Sequence, residues 1–233
     1  MKTNREQRFT EAGNALIYVL IAIALFAALS FVLARQTDTS ESAGVSGDKA
    51  NLYATQLISY ATQTKQVMDQ LVFSGTDINN LDFMLPSDPA FNTGTTGDHV
   101  NMVYHPDGGG LIPATLPPEV IKQTDADPVA GWYLGRFNNI DWTKTGGQDV
   151  ILVAYQIDQS VCQKINDKLG VSTIPSISDD LKSILIDAES YATGANQDLT
   201  TGTTDICPEC ENKGSLCIQE GGQYAFYSVV ADQ

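Results

Sequence analysis

GNALIYVLIAIALFAALSFVLA, residues 13–34, holds no charged side chain, no proline and no glycine after its first residue, and twelve of its positions are Leu, Ile, Val or Phe. As a helix rising ~1.5 Å per residue it is about 33 Å long, enough to cross the hydrocarbon core of a bilayer. Summing about −0.3 to −0.6 kcal/mol for each large apolar residue gives roughly −4 to −7 kcal/mol in favour of insertion. A buried core helix keeps one polar face, and this stretch has none. A cleaved secretory signal has a shorter apolar region, roughly 7–15 residues, ending at a small-x-small site. Here the run is longer, and Ala34 leads into Arg35. The expectation is a transmembrane helix over 14–35. Lys2, Arg5 and Arg8 precede it while only Arg35 closely follows, so the positive-inside rule keeps residues 1–13 in the cytoplasm and sends residues 48–233 across as an exported domain.

The part beyond the anchor, about two hundred residues, is long enough for one domain with a substantial core. A net charge of −15 argues against a nucleic-acid partner, whose phosphates need a basic surface. Cys162, Cys207, Cys210 and Cys217 all lie beyond the anchor. An even number of cysteines on the oxidising side reads as two disulfides, with three connectivities open.

Residues 36–47, QTDTSESAGVSG, read as a flexible or weakened helical segment. Asp48 is placed to cap a helix running to about Phe73, with Tyr53, Leu57, Tyr60, Ala61, Val67, Met68, Leu71 and Val72 largely along one side. Residues 74–130 are loop-dominated, with an extended piece at Val100 to Tyr104 and a PDGGG turn at 106–110. Gly131 to Phe137 and Asp149 to Gln156, the latter holding an unbroken VILVAY run, read as antiparallel neighbours. Asp158 caps a helix over about 159–169 ending at Gly170, and Ser178 caps another through Tyr191. Ser215 to Gln219 and Gln223 to Val230, joined through Glu220, Gly221 and Gly222, read as a hairpin. The fold class is α+β, an amphipathic helix packed on a small antiparallel sheet.

This order of features is similar to that of type IV pilin-like proteins. The residues that carry the resemblance are RFTEAG, 8–13, followed by NALIYVLIAIALFAALSFVLARQ, 14–36. The Glu, Gly, Ala, Tyr and Leu-Ile-Ala features also resemble the short pilins of tight-adherence systems. A softer likeness lies in VILVAYQIDQSVCQKINDKLG, 150–170, which resembles the part of larger type IVb-like pilins where a strand leads into a cysteine-bearing helix. In that likeness Cys162 pairs with a cysteine near the C-terminus.

The resemblance implies a structural subunit of a type IV pilus-like or secretion pseudopilus filament. A prepilin peptidase would cut after Gly13, leaving Asn14 as the first mature residue. Membrane lipid would surround the helix before assembly, and other pilin-like subunits and an inner-membrane assembly platform would be its partners afterwards. The chain would sit in the bacterial inner membrane, with its globular domain periplasmic or on an extracellular filament. The fifth residue after Gly13 is Tyr18 where this family usually carries Glu. A carboxylate in an apolar bundle needs a partner such as a neighbour's terminal amine, and Tyr18 supplies no such charge. That points to a minor pilin or pseudopilin, or to a specialised type IVb-like prepilin with a different packing rule. The alternative is an uncleaved, membrane-tethered periplasmic binding or accessory protein.

No sequence signal points to catalysis: there is no GxSxG, no HExxH and no phosphate-binding glycine loop with Lys. Neither a cofactor nor a metal is expected. Cys207-Pro-Glu-Cys210 has zinc-ribbon or redox spacing, but an exported compartment favours a structural disulfide. His99 and His105 read as solvated loop residues. Asp141, Asp149, Asp179 and Asp180 form no recognisable calcium loop and read as acidic surface. Any adhesive contact is expected in the 74–130 loops.

Overall fold

The computed structural model describes residues 12–38, 45–95, 97–140, 142–143, 146–187, 199 and 207–232, with the side chains of the first helix described from 17 to 31. The chain divides into two compact units, residues 1–44 and 45–233.

The first unit contains α1, Ala12–Asp38. Gly13 and Asn14 fall in its first turn, and residues 1–11 of the expected leader lie outside the described residues. Among the described residues no helix is long and apolar enough to cross a membrane. The side chains of α1 are described from Ile17 to Phe31. Every one of them is exposed. The stretch expected to be flexible or weakened helix, 36–47, is helical at both ends, because α1 runs to Asp38 and the next helix begins at Gly47. Residues 39–44 lie outside the described set.

The second unit opens with α2, Gly47–Phe73. Its cap is Ser46, without a side-chain hydrogen bond, while Asp48 lies in the first turn. The expected capping role of Asp48 is therefore corrected: inside the turn its carboxylate faces the positive end of the helix dipole instead. One side of α2 is buried through Ala50, Ala54, Leu57, Ala61, Thr64, Met68 and Leu71. Tyr53, Tyr60 and Val67 flank that stripe half-buried, whereas Val72 is exposed.

Strands β1 (Gly131–Asn138), β2 (Asp149–Tyr155), β3 (Ser215–Glu220) and β4 (Gln223–Ala231) form one antiparallel sheet in the order β1-β2-β4-β3. All seven residues of β2 are buried, which explains its unbroken apolar run: a strand covered on both faces has no solvent side to alternate with. The β3–β4 hairpin turns on Gly221 and Gly222, with φ of +56° and +89°. Two successive positive φ values are what a two-residue I′ turn needs, and glycine adopts them without a Cβ clash.

The sheet divides two cores. Val150, Leu152, Ala154 and Phe226 point to one face, where α2 packs beside α3 (Gln159–Lys168) and the 74–130 loops close the margin. Ile151, Val153, Tyr155, Leu216, Ile218 and Tyr227 point to the other, covered by Ile177, Leu199, the Cys207–Cys210 segment and α4 (Leu181–Leu185). The α+β fold with a helix on a small antiparallel sheet is as expected, and the second covered face is an addition to it.

Helix α3 begins at Asp158, whose carboxylate accepts from the Ser160 amide. Helix α4 is capped by Asp180, which accepts from the Lys182 and Ser183 amides, so the expected Ser178 cap is corrected by two residues. Helix α4 ends at Leu185, with Ile186 as its C-cap, so the expected run through Tyr191 is corrected; residues 188–191 lie outside the described residues. Among the described residues of 74–130 the helical elements are two short 3-10 turns, Ile78–Asn80 and Pro118–Val120. Val100 to Tyr104 is turn and bend rather than extended, apart from a single bridge between Met102 and Asp82.

Candidate functional site

Three places gather the residues that the sequence marks for function. The first is the surface of α1. Its ten large side chains from Ile17 to Phe31 are between 50% and 75% exposed. Complete burial of a Leu, Ile or Phe side chain stabilises by about 1.5–3 kcal/mol, so leaving these uncovered in water forgoes on the order of 10 kcal/mol. That is comparable with the whole folding stability of an ordinary domain, ~5–15 kcal/mol. Tyr18 is 66% exposed on this surface.

The second place is the cysteine region. Cys162 on α3 bonds to Cys217 on β3 across a sequence separation of 55, and Cys207 bonds to Cys210. Closing the longer loop removes unfolded-chain entropy equivalent to about 4 kcal/mol in the chain-entropy model. One helical turn after Cys162, the buried Asn166 accepts the Cys217 amide at 2.8 Å and donates to the Cys217 carbonyl at 2.8 Å. It also donates to the Thr173 carbonyl at 2.9 Å. An amide side chain therefore supplies what a neighbouring strand would supply, and the outward backbone of edge strand β3 is occupied at Cys217. Cys207 and Cys210 are both buried in the second core, unlike reactive CxxC pairs, which are partially exposed.

The buried Gln156 has a comparable bracing role at the end of β2. Its carbonyl oxygen accepts from the Thr124 and Asp125 amides, and its amide nitrogen donates to the Asp125 and Pro128 carbonyls. Its φ of +58° turns the backbone out of the strand, so that the 122–128 loop is held from within. Arg136 acts likewise on the 78–81 turn, donating to the Ile78 and Leu81 carbonyls at 3.0 and 2.9 Å.

The third place is the loop 91–110, where the structure departs most from expectation. His99 and His105 are not solvated: they are 8% and 9% exposed, and their rings stack with centroids 4.1 Å apart and planes 20° apart. Phe91 also contacts His105, with ring centroids 5.1 Å apart and planes tilted by 46°. His99 Nε2 lies 3.1 Å from the Thr93 carbonyl oxygen. Because a carbonyl only accepts, Nε2 must carry the proton, which leaves Nδ1 with the lone pair. His105 Nδ1 accepts the Asp107 amide at 3.2 Å, and a carboxylate oxygen of Asp107 lies 3.8 Å from the same nitrogen.

Glycines bring the loop this close. A Cβ on Gly108 would lie 2.2 Å from the Met102 carbonyl oxygen and 2.6 Å from that of His99, so no larger residue fits there without movement. Asp98, next to His99, is held below the usual carboxylate range, chiefly by the Thr95 amide and then by the Thr95 hydroxyl. Among the described residues, His99, His105 and Asp107 are the group whose ligand atoms converge, all within 4.8 Å of one another.

Among the described residues, Asp149, Asp179 and Asp180 form no group of converging ligand atoms. Asp149 is buried and accepts from the Ile140 amide at 2.9 Å and the Thr143 hydroxyl at 3.1 Å, Asp180 caps α4, and Asp141 lies outside the described residues. Asp149 is thus a structural acceptor and not part of an acidic surface. The histidine spacing, H-x5-H-x-D in a glycine-rich loop, was the available sequence signal for the third place; Asn166 carried only its position four residues after Cys162. No family model, no curated protein and no solved structure matches this chain.

Proposed function

We propose that this chain is a structural subunit of a type IV pilus-like or secretion pseudopilus filament. In this reading α1 enters the inner membrane, a prepilin peptidase cuts after Gly13, and the helix then leaves lipid for a bundle of like helices. The observation that carries it is the exposed apolar surface of α1, described from 17 to 31, beside a second unit with two cores of its own. Such a helix needs a cover, and lipid followed by neighbouring helices supplies one.

Lipid tails are as apolar as a helix bundle, so hydrophobic burial does not drive the transfer between them. Assembly work must come from an inner-membrane platform. The globular unit suits an outward-facing role, because its disulfides and two-sided core keep it folded outside the cell without a reducing compartment. Tyr18 favours a minor or tip position over a major subunit, since it lacks the charge that would pair with a neighbour's terminal amine.

The test is Gly13→Ala in the native host. The variant is expected to keep its leader and to be missing from sheared filaments, while the parent chain is shortened by residues 1–13. Equal processing of variant and parent would contradict the proposal.

A further inference from the structure

The geometry points to a binding site for one divalent transition-metal ion of the zinc type, held by a ring nitrogen of His99, His105 Nδ1 and a carboxylate oxygen of Asp107. The site stands apart from the filament reading and does not depend on it. Three observations support it. His99 Nε2 lies 3.1 Å from the Thr93 carbonyl oxygen, a contact in which the ring nitrogen donates and the backbone fixes the imidazole's orientation. That backbone partner is the kind of outer contact that fixes a metal-bound imidazole.

His105 presents Nδ1 toward Asp107, with the carboxylate oxygen 3.8 Å away. Ligands on a tetrahedral ion with bonds of ~2.0–2.2 Å sit about 3.4 Å apart. The pair needs to close by only a few tenths of an ångström. A ring nitrogen of His99 is within 4.8 Å of both, so binding an ion requires the three groups to draw together. In the metal-bound state His105 Nδ1 exchanges the Asp107 amide contact for the ion.

Ligand chemistry selects the class of ion. Two imidazole nitrogens and one carboxylate suit zinc, copper or nickel, whereas calcium and magnesium take oxygen ligands. The imidazoles are buried and Asp107 is on the solvent side, so the ion has a dry back, a wet front and a fourth position open to water. All three ligands lie within nine residues of one loop, and the ion would clasp that loop. Both disulfides are formed, so no cysteine competes for it.

The experiment is a zinc titration by calorimetry of the full chain in detergent, after chelator treatment. One zinc ion per chain is expected, with affinity lowered at least tenfold by Asp107→Asn and by His105→Gln. Asp107 is on the surface, so its variant should keep the parent's circular dichroism and remain informative if the histidine variant misfolds. Cobalt(II) in place of zinc should shift the ring protons of His99 and His105, and excess calcium should displace neither ion. Absence of saturable zinc binding, binding unchanged in Asp107→Asn, or displacement by calcium would overturn the assignment.

Discussion

Helices α1 and α2 are each 27 residues long, yet they use apolar side chains in opposite ways. In α1 large apolar residues surround the axis, and every described side chain is exposed. In α2 they are fewer and lie along one stripe, where small Ala50, Ala54 and Ala61 let the helix approach its neighbours and Leu57, Met68 and Leu71 fill the remaining space. Arrangement, more than amount, decides where a helix finds its partner. A stripe is satisfied by one surface of the same unit, while an apolar circumference needs an environment all round.

The sharpest way to break this comparison is to remove α1. A chain beginning at Val45 keeps both cores and both disulfides. It is expected to lose all membrane association and to remain folded without detergent, with the circular dichroism of a folded α+β domain and a cooperative melt. Loss of the cooperative melt would mean that the second unit depends on α1.

A smaller effect separates the helices by single substitutions. Met68→Ala should lower stability by about 3 kcal/mol, within the roughly 2–5 kcal/mol seen when a buried Met or Leu is truncated. Leu25→Arg should leave the melt of the second unit unchanged and instead disfavour membrane insertion by about 3 kcal/mol, the cost of Arg near a helix centre. Thermal denaturation reads the first and a membrane-fractionation assay the second. Equal loss of thermal stability in both variants would erase the distinction. The smallest effect belongs to Leu52, 56% exposed on the outer side of α2. Leu52→Ala should change stability by no more than about 0.5 kcal/mol, as exposed substitutions usually do. A larger loss in denaturant unfolding would show that this side of α2 is covered after all.

Legibility in the sequence followed the range of each signal. The VILVAY run, the β3–β4 hairpin and the Asp158 cap are local, since their meaning depends on residues within a few positions; each lies where the sequence puts it, except that Glu220 belongs to β3 and the turn is Gly221 and Gly222 alone. The cap of α4 shifted because Ser178, Asp179 and Asp180 all offer capping oxygens, and only the start of the helix at Leu181 selects Asp180.

Contacts that span the fold left no local trace. Asn166 reaches Cys217 across 51 residues and Gln156 reaches Asp125 across 31, so neither looks in sequence like anything but a polar residue. The histidines were misjudged for a related reason. A loop rich in Gly, Pro, Asn and Asp suggests solvation, but here tight glycine turns fold the loop on itself and bury both rings. The second core was hidden as well, although the lack of alternation in β2 recorded it: a strand with no polar side implies two covered faces.

The central claim concerns the N-terminus, and the most direct measurement is intact mass with N-terminal sequencing of the chain purified from its native membrane. The account predicts a chain that begins at Asn14. A chain that still carries residues 1–13 would contradict it and leave a tethered extracytoplasmic domain as the better description.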